Sequence, residues 1–281
     1  MQKHETGDVL DRTAQEVVKV AAFPTRFAFE QLFTFLDNVG EAVILLARAI
    51  GSALSKRAVW VDSLTYMGVL GVNSLMIVVV TVTFSGMVLS LYSSLLAVRY
   101  GAGGYVGGGL GLSIVREMAP VVTAVVVTAR AGSAIAAEIG SMKVSEQIDA
   151  LRSLSIGPIE YLVAPRIVAG VVVFPMLTAF ANVSGLVGGY LVAVANRVPG
   201  GSFEQSLAQM VTGRDITMGL IKAAVFGLVV TLVCCQQGLR TTGGATGVGR
   251  STTNAVVISI VVIYMVNFFL AMLMFGPGVR T

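Results

Sequence analysis

The sequence predicts an all-α integral membrane protein, with an N-terminal interfacial helix, five transmembrane helices and a short cytoplasmic helix. Of its 281 residues, 55% are hydrophobic and only 12% are charged, whereas soluble domains contain about 25% charged residues. The mean hydropathy is +0.84. No alternation of apolar and polar residues of the kind that marks a membrane β-barrel is present, which leaves helices to satisfy the backbone within lipid.

The N-terminal region divides into a polar segment, 1–25, and a predicted amphipathic helix, 26–57. In the second segment the apolar residues recur at steps of three and four, as on one face of a helix: Leu32, Leu36, Val39, Val43, Leu46, Ile50 and Leu54. A helix of this kind either lies in the membrane interface or is a soluble helix packed on a partner. The interface is favoured because a transmembrane segment follows directly.

Residues 58–281 form the predicted transmembrane domain. Runs without any charge occupy 63–98, 167–196, 223–239 and 251–279, and each can supply or nearly supply the ~20 residues that cross a bilayer. The run at 223–239 extends back to Ile216 if Lys222 snorkels or faces protein. The remaining predicted span, 112–138, is the second along the chain and carries charges of its own.

A short charged helix is predicted over about 141–156, directly after the charged span. Ser141 can cap its start, and Gly157-Pro158 can end it. By pattern alone this segment resembles an ordinary solvated loop helix.

The cationic residues predict the orientation. With the N-terminus in the cytoplasm, eleven lie inside (Lys3, Arg12, Lys19, Arg26, Arg48, Lys56, Arg57, Lys143, Arg152, Arg240, Arg250) and four outside (Arg99, Arg197, Arg214, Arg280). The positive-inside rule therefore predicts a cytoplasmic N-terminus and an external C-terminus.

Three charged residues stand inside the second span: Arg116, Glu117 and Arg130. Ionisable groups within a bilayer usually face a pore, a partner or one another. Arg116 and Arg130 are fourteen residues apart, close to a whole number of turns, so we expect them near one face, about 21 Å apart. Arg116, Glu117 and Arg130 either line a transport path or form interhelical ion pairs or hydrogen bonds to backbone carbonyls that only hold the fold.

Several functional classes are disfavoured by the sequence. It contains no GxxxxGK[ST] phosphate loop, no G-x-S-x-G elbow and no G-x-G-x-x-G motif. A single histidine, His4, and two adjacent cysteines within an apolar run predict neither a metal site nor a catalytic residue. The net charge of +4 without a basic cluster does not indicate nucleic-acid binding.

Four segments resemble the MlaE/YrbE-type permeases, the membrane subunits of MCE-associated ABC transporters that move lipids. They are LSIVREMAPVV, ARAGSAIAAEIGSMKVSEQIDAL, YLVAPRIVAG and GVGRSTTNAVV, followed by FLAMLMFG near the C-terminus. The resemblance covers roughly residues 30–276 in order, and the block around RAGSAIAAEIGSMKVSEQ is specific.

The resemblance implies that the 141–156 helix is a coupling helix seated on a cytoplasmic ABC ATPase. That ATPase would bind ATP-Mg, so no cofactor is expected in this chain. We assign to the contact Glu138, Met142, Lys143, Glu146, Gln147, Asp149 and Leu151. The resemblance further implies a second permease subunit, identical or related, with a lipid cavity between the two subunits. It also implies periplasmic MCE proteins, in some cases a STAS-domain subunit, and a location in the bacterial inner membrane.

Two other functions stay open at this stage. An ion-coupled secondary carrier or channel would use Arg116, Glu117 and Arg130 as a relay, although no inverted repeat is visible. A membrane anchor would only assemble other proteins. Dependence of transport on ATP distinguishes the lipid permease from both.

Overall fold

The structure is a computed structural model that describes residue 37 and the ranges 39–53 and 57–276. The chain divides into two units, 1–46 and 47–281. In the first unit the described residues, 37 and 39–46, are helical. The polar segment 1–25 and the first part of the predicted interfacial helix, 26–36, lie outside the described residues.

Helix α1 covers residues 39–53. Three residues of the predicted apolar stripe, Val39, Val43 and Ile50, are 43%, 59% and 46% exposed. Exposed apolar side chains are what an interfacial helix would place in lipid, and the interfacial location stays a prediction.

Five helical spans in the described residues are long and apolar enough to cross a membrane: Val59–Arg99, Gly103–Val144, Ile159–Ala195, Gly213–Leu239 and Gly244–Phe275. The first lies in helix α2 (Arg57–Arg99), the third in α7 (Ala164–Ala195) after a π-helical turn, and the last two are α9 (Gly213–Leu239) and α10 (Gly244–Phe275). The predicted class, all-α with five spans, is confirmed. Lys222 lies inside the fourth span and faces protein, with no exposed surface.

The second span is built from three α-helical pieces separated by two π-helical turns. These are α3 (Val106–Ser113), a π turn at Ile114–Met118, α4 (Ala119–Val127), a π turn at Thr128–Gly132 and α5 (Ser133–Val144). Pro120 stands just after the first π turn. Because proline has no N–H and its ring crowds the preceding turn, a widened turn there accommodates it.

This second span begins at Gly103, nine residues before the predicted start at 112. The extra turns pack on helix α8 (Gly200–Met210), which lies in the connection between the third and fourth spans. A Cβ added at Gly107 would collide with the carbonyl of Phe203, and one at Gly108 with Met210. Glycines are poor helix formers, so tertiary packing, which the sequence pattern does not display, stabilises this segment as a helix.

Helix α7 packs against α2, α4 and α9 and lies at the centre of the bundle. Its crossing with α2 is close because Gly86 faces the backbone of Gly185, and the hydroxyl of Ser90 donates a 2.6 Å hydrogen bond to the carbonyl of Gly189. Small residues at such crossings let helices approach in lipid. Gly185 and Gly189 are therefore packing contacts between α7 and α2.

The spans alternate in direction, so the connections lie at two ends of the bundle. We call the end with residues 145–158 and 240–243 the Ser145 side, and the end with residues 196–212 the Pro199 side. Side chains exposed on α2 and α10 are mostly apolar, among them Val72, Met76, Phe268 and Leu273, which are between 64% and 79% exposed. These surfaces suit contact with lipid.

The helix predicted over 141–156 is wrong at both ends. Residues up to Val144 continue α5 without a cap at Ser141, and the separate helix α6 covers only Gln147–Ser153. Between these two helices, Glu146 interrupts the helical backbone with a left-handed conformation, φ of 60°. A left-handed residue commonly follows a helix C-terminus, and it is usually glycine. Because this position is a glutamate, the sequence pattern does not reveal the end of the helix.

The end of α6 also lies before the predicted Gly157-Pro158 stop. Ser155 has φ of 60°, the N–H of Ile156 donates to the carbonyl of Leu151, and the N–H of Ser155 donates to that of Arg152, each at 3.0 Å. This is the Schellman arrangement, with serine where glycine is usual. Pro158 instead precedes the π turn Ile159–Val163 that opens the third span.

Candidate functional site

Arg116 forms an ion pair with Asp215 near the Pro199 side of the bundle. Its Nη2 lies 2.7 Å from Oδ1 of Asp215, and its Nε donates to the same oxygen at 2.8 Å. The guanidinium also lies 4.5 Å from the ring centroid of Phe275, the last residue of α10. Asp215 is 4% exposed and Arg116 is 26% exposed, so the cation retains access from outside.

Helix α9 positions Asp215 through the cap at its own N-terminus. The second carboxylate oxygen, Oδ2, accepts hydrogen bonds from the backbone N–H of Thr212 at 2.9 Å and from its hydroxyl at 2.8 Å. This is a capping box in which aspartate occupies the position three residues after the cap. The cap holds the carboxylate in place, so the acceptor for Arg116 is preformed.

Glu117 pairs with Lys222 of the same helix α9. The ammonium of Lys222 lies 2.8 Å from Oε1 of Glu117, and the amide of Asn267 donates to Oε2 at 2.9 Å. Lys222 also donates to the carbonyl of Arg116 at 2.9 Å. Pro120, four residues after Arg116, has no N–H for that carbonyl, so the lysine supplies a donor at the place where the helix lacks one.

Together these residues form a charge cluster, which we define as Arg116, Glu117, Asp215, Lys222 and Asn267. Its two cations and two anions are paired, and Lys222 is completely buried while Glu117 is 42% exposed. Partners are commonly required for ionisable groups at membrane depth. The cluster thus ties the second, fourth and fifth spans together and leaves one cation and one anion reachable.

The sequence-based expectation that Arg116 and Arg130 share one face is wrong. Arg116 turns to Asp215 on α9, whereas Nη1 of Arg130 donates to the hydroxyl of Ser74 on α2, at 3.3 Å. A π turn contains more residues than an α turn, so the π turns at Ile114–Met118 and Thr128–Gly132 change the register between the two arginines. Arg116 and Glu117 each pair with a residue of α9, Arg116 with Asp215 and Glu117 with Lys222.

A second network lies toward the Ser145 side. Nη2 of Arg166 lies 2.8 Å from Oε1 of Glu138, and Arg166 has no exposed surface while Glu138 is 53% exposed. The guanidinium stacks on Tyr66, 4.3 Å from its ring centroid, and Nη1 donates to the carbonyl of Leu162 at 2.5 Å. Glu138 therefore holds α5 on α7, and its assignment to an ATPase contact stays a prediction.

The predicted coupling residues surround the break between α5 and α6. Asp149 accepts from Lys143 at 3.4 Å and from Arg152 at 2.7 Å, and Gln147 donates to the hydroxyl of Ser145. Glu146, Gln147 and Asp149 are exposed, and Met142, Lys143 and Leu151 are partly exposed. Ile148 is fully buried and anchors α6, so the charged side chains face outward from a fixed base.

Comparison with known proteins places these features in a family. The profile described as Permease MlaE matches residues 63–273, which include all five spans in whole or large part. The chain belongs to the MlaE permease family.

Similar proteins come from distant organisms. A probable ABC transporter permease protein of Synechocystis sp. is 43% identical over 219 residues, 77% of this chain and 83% of the relative. The intermembrane phospholipid transport system permease protein MlaE of Haemophilus influenzae is 35% identical over 251 residues, 89% and 96% of the two chains. The chloroplastic protein trigalactosyldiacylglycerol 1 of Arabidopsis thaliana is 38% identical over 239 residues, 84% and 68%.

Sequence reasoning identified two of the four charged residues in this MlaE-family permease's charge cluster. Arg116 and Glu117 were singled out, whereas Asp215 and Lys222 were not. The signals existed: T-x-x-D at Thr212–Asp215 is a capping box, and Lys222 is a lone cation beside an apolar run. Arg166 was treated only as the boundary of the third span, although it is fully buried in the permease.

The remaining chemistry of the permease is limited in the described residues. No group of three or more His, Cys, Asp or Glu side chains among them is placed to hold a metal ion. Cys234 and Cys235 are free and completely buried, as their apolar setting predicts. The arrangement therefore offers binding and positioning of charged groups.

Proposed function

We propose that this MlaE-family chain is the permease subunit of an ABC transporter that moves phospholipids between membranes. The charge cluster carries the proposal, because it presents one partly exposed guanidinium and one partly exposed carboxylate within apolar spans. Arginine binds phosphate oxygens well. The relatives named as ABC transporter permeases and as a phospholipid transport permease support the same substrate class.

Energy would come from a separate ATPase that binds ATP-Mg. The proposed dock is the connection between the second and third spans, with Met142, Lys143, Glu146, Gln147, Asp149 and Leu151 at the contact and Glu138 at its edge. Apolar side chains stand exposed beside them, with Leu154 at 70% and Ile156 at 42%. Exposed apolar residues within a charged rim are typical of a protein interface.

The other proposed parts of the complex follow the family resemblance. They are a second permease subunit, identical or related, MCE proteins on the Pro199 side and, in some complexes, a STAS-domain subunit. The proposed location is the bacterial inner membrane, with the Ser145 side in the cytoplasm. The Lys and Arg bias of the sequence supports this orientation.

Docking of the ATPase is tested by charge reversal at Asp149. Its ion pairs are solvent-exposed, at 50% for Asp149 itself, and exposed pairs contribute about 0–1 kcal/mol to stability. Asp149→Arg should therefore leave the melting temperature of the purified permease unchanged while releasing the ATPase. Glu204→Arg on α8 is the matched control, since Glu204 is also exposed but lies on the Pro199 side. Full copurification of the ATPase with Asp149→Arg would contradict the dock.

Lipid transport is tested with the complete complex in vesicles. ATP should drive transfer of a fluorescent phospholipid between membranes, and a hydrolysis-deficient ATPase should abolish it. Transfer that continues without ATP but follows an ion gradient would instead support a secondary carrier. Absence of any lipid movement in an assembled, ATP-hydrolysing complex would remove phospholipids as the substrate.

A further inference from the structure

Arg130 lies apart from the charge cluster and is exposed. Its hydrogen bond to Ser74 is 3.3 Å long, and it forms no ion pair with any residue that the structure describes. A guanidinium has five N–H donors, so most of those of Arg130 are without a partner among the described residues. Arg130 stands on the π turn Thr128–Gly132, and such turns are frequent at functional sites.

A groove of about 480 Å³ runs beside Arg130, between α2 and the second span. Asn73, an exposed amide on α2, adds a polar group next to the arginine. The walls beside this end are apolar, with Val69 and Ile135 on opposite helices, and Ala134 leaves the groove wide. One end is thus polar and cationic, and its sides suit a hydrocarbon chain.

The only carboxylate of a described residue lining the groove is already neutralised. Glu138 lines the far end with Tyr66, and Arg166 behind it forms the 2.8 Å ion pair. Glu138 lies eight residues from Arg130, or about 12 Å along the helix. The uncompensated charge in the groove is therefore that of Arg130, and its field favours an anion.

The depth of Arg130 favours a bound anion. From Arg116 to Glu138 is 22 residues, or about 33 Å, close to the ~30 Å of a hydrocarbon core. With those two charged levels at the boundaries, Arg130 lies about 12 Å inside the Ser145-side boundary. A cation at that depth is unfavourable unless a counter-charge or polar groups reach it.

We propose that this groove binds an anionic phospholipid from the leaflet on the Ser145 side. The phosphate lies against Arg130 and Asn73, and one acyl chain lies between α2 and the second span. This site is separate from the charge cluster and deepens the proposed function, resting on its lipid substrate. A net anionic headgroup is preferred because no carboxylate in the described lining is left to attract an ammonium group.

Photo-cross-linking tests the site in the intact permease. A photoreactive phenylalanine derivative replaces Val69 in the groove, or Val88 on the same helix outside it; the two valines are 57% and 53% exposed. Nanodiscs contain equal amounts of phosphatidylglycerol and phosphatidylcholine with identical acyl chains. The ratio of the two lipid adducts, measured by mass spectrometry, should be about tenfold higher at position 69 than at 88, as for a charge-assisted hydrogen bond. Equal ratios at the two positions would overturn the proposal.

Variants then assign the selectivity to the groove. Arg130→Gln removes the cation, whereas Ala134→Leu fills the groove and keeps the cation. Each variant should lower the lipid-adduct ratio at position 69 to the ratio at position 88. Arg99→Gln is the matched control, because Arg99 is an exposed arginine at the other end of α2, and it should keep the full ratio. Ala134→Leu decides the question if Arg130→Gln fails to fold. Selectivity that persists in Ala134→Leu would overturn the proposal, as would adducts at Val69 that join two copies of this chain.

This measurement needs no ATPase, so its outcome is independent of the test of ATP-driven lipid transport. ATP-driven lipid transfer without selective binding at position 69 would overturn only the proposal that the groove binds an anionic phospholipid. Selective binding without ATP-driven transfer would remove the transport function and keep a lipid site.

Discussion

Lys222 is the residue on which the charge cluster depends most. It has no exposed surface, yet its ammonium contacts a carboxylate, Glu117, and the carbonyl of Arg116 beside Pro120. Each contact compensates a group that the apolar surroundings would otherwise leave without a partner. A buried cation of this kind stabilises the arrangement of its neighbours, and Arg116 and Glu117 remain accessible because Lys222 and Asp215 hold them.

Replacing Lys222 by methionine should destabilise the permease by about 1.5–3 kcal/mol, the usual value for a hydrogen bond to a charged group. The double variant with Glu117→Gln should recover part of the loss, because it removes the carboxylate that the first change leaves alone. Thermal unfolding in detergent, analysed as a double-mutant cycle, measures the coupling. Additive effects of the two changes would contradict the pairing.

Reversing the Arg116–Asp215 pair distinguishes a structural charge from a transport charge. Arg116→Asp alone would place a second carboxylate beside that of Asp215, which is 4% exposed, so we expect poor assembly. Arg116→Asp combined with Asp215→Arg restores opposite charges and should restore assembly with the ATPase. If Arg116 contacts the lipid phosphate, this assembled double variant still transfers lipid at least tenfold more slowly, since one such contact is worth about 1.4 kcal/mol. Normal transfer by the double variant would give Arg116 a purely structural role.

At the scale of the helix, close crossings set the positions of these charges. Gly219 of α9 faces the carbonyl of Val115, in the first π turn of the second span. Asp215 precedes Gly219 by four residues and Lys222 follows it by three, so both side chains depend on this approach. Small residues at helix crossings in lipid are therefore part of the site, although none of them carries chemistry.

Gly219→Val should separate α9 from the second span and destabilise the fold by about 1–3 kcal/mol, as overpacking does. Gly213→Ala on the same helix is the control, because no atom lies within 4 Å of a Cβ added there. The Arg116–Asp215 distance is followed by cysteine cross-linking or by a cryo-EM map of the variant. An unchanged melting temperature in Gly219→Val would contradict a close contact between Gly219 and the carbonyl of Val115.

At the scale of the whole molecule, five spans place the two ends of the transmembrane domain on opposite sides of the membrane. Cys234 and Cys235 are completely buried, so they should not react with aqueous reagents. A single introduced cysteine therefore reports its own location without prior removal of the native ones. Ser145 and Gly201 are exposed positions in connections at the two ends of the bundle.

Gly201→Cys should react with a membrane-impermeant maleimide in intact spheroplasts, and Ser145→Cys should react only after permeabilisation. This result follows if the Ser145 side is cytoplasmic, as the Lys and Arg bias predicts. The unmodified chain is the control and should not be labelled in either condition. The opposite pattern would reverse the orientation and place the proposed ATPase dock outside the cell.

The number and class of the helices could be predicted because hydrophobic length is a strong signal. The start of the fourth span could not be predicted with the same ease. It depends on whether Lys222 faces protein, which only the fold determines. The break at Glu146 and the end at Ser155 could not be predicted, since neither residue type favours a left-handed backbone. The pairing of Arg116 with Asp215 joins residues 99 positions apart, and periodicity along the chain contains no information on such contacts.

The π turn at Ile114–Met118 has a consequence for how this chain tolerates insertions and deletions. A π turn is an α turn that has gained one residue, so deletion of a single residue there would restore a regular helix. Each residue of an α-helix turns by about 100°, and the deletion would therefore rotate Arg116 and Glu117 by that angle relative to one flank of the span. Their partners on α9 would then lie out of reach, although every charged residue would still be present in the sequence. For this part of the protein, the length of the chain matters as much as its composition.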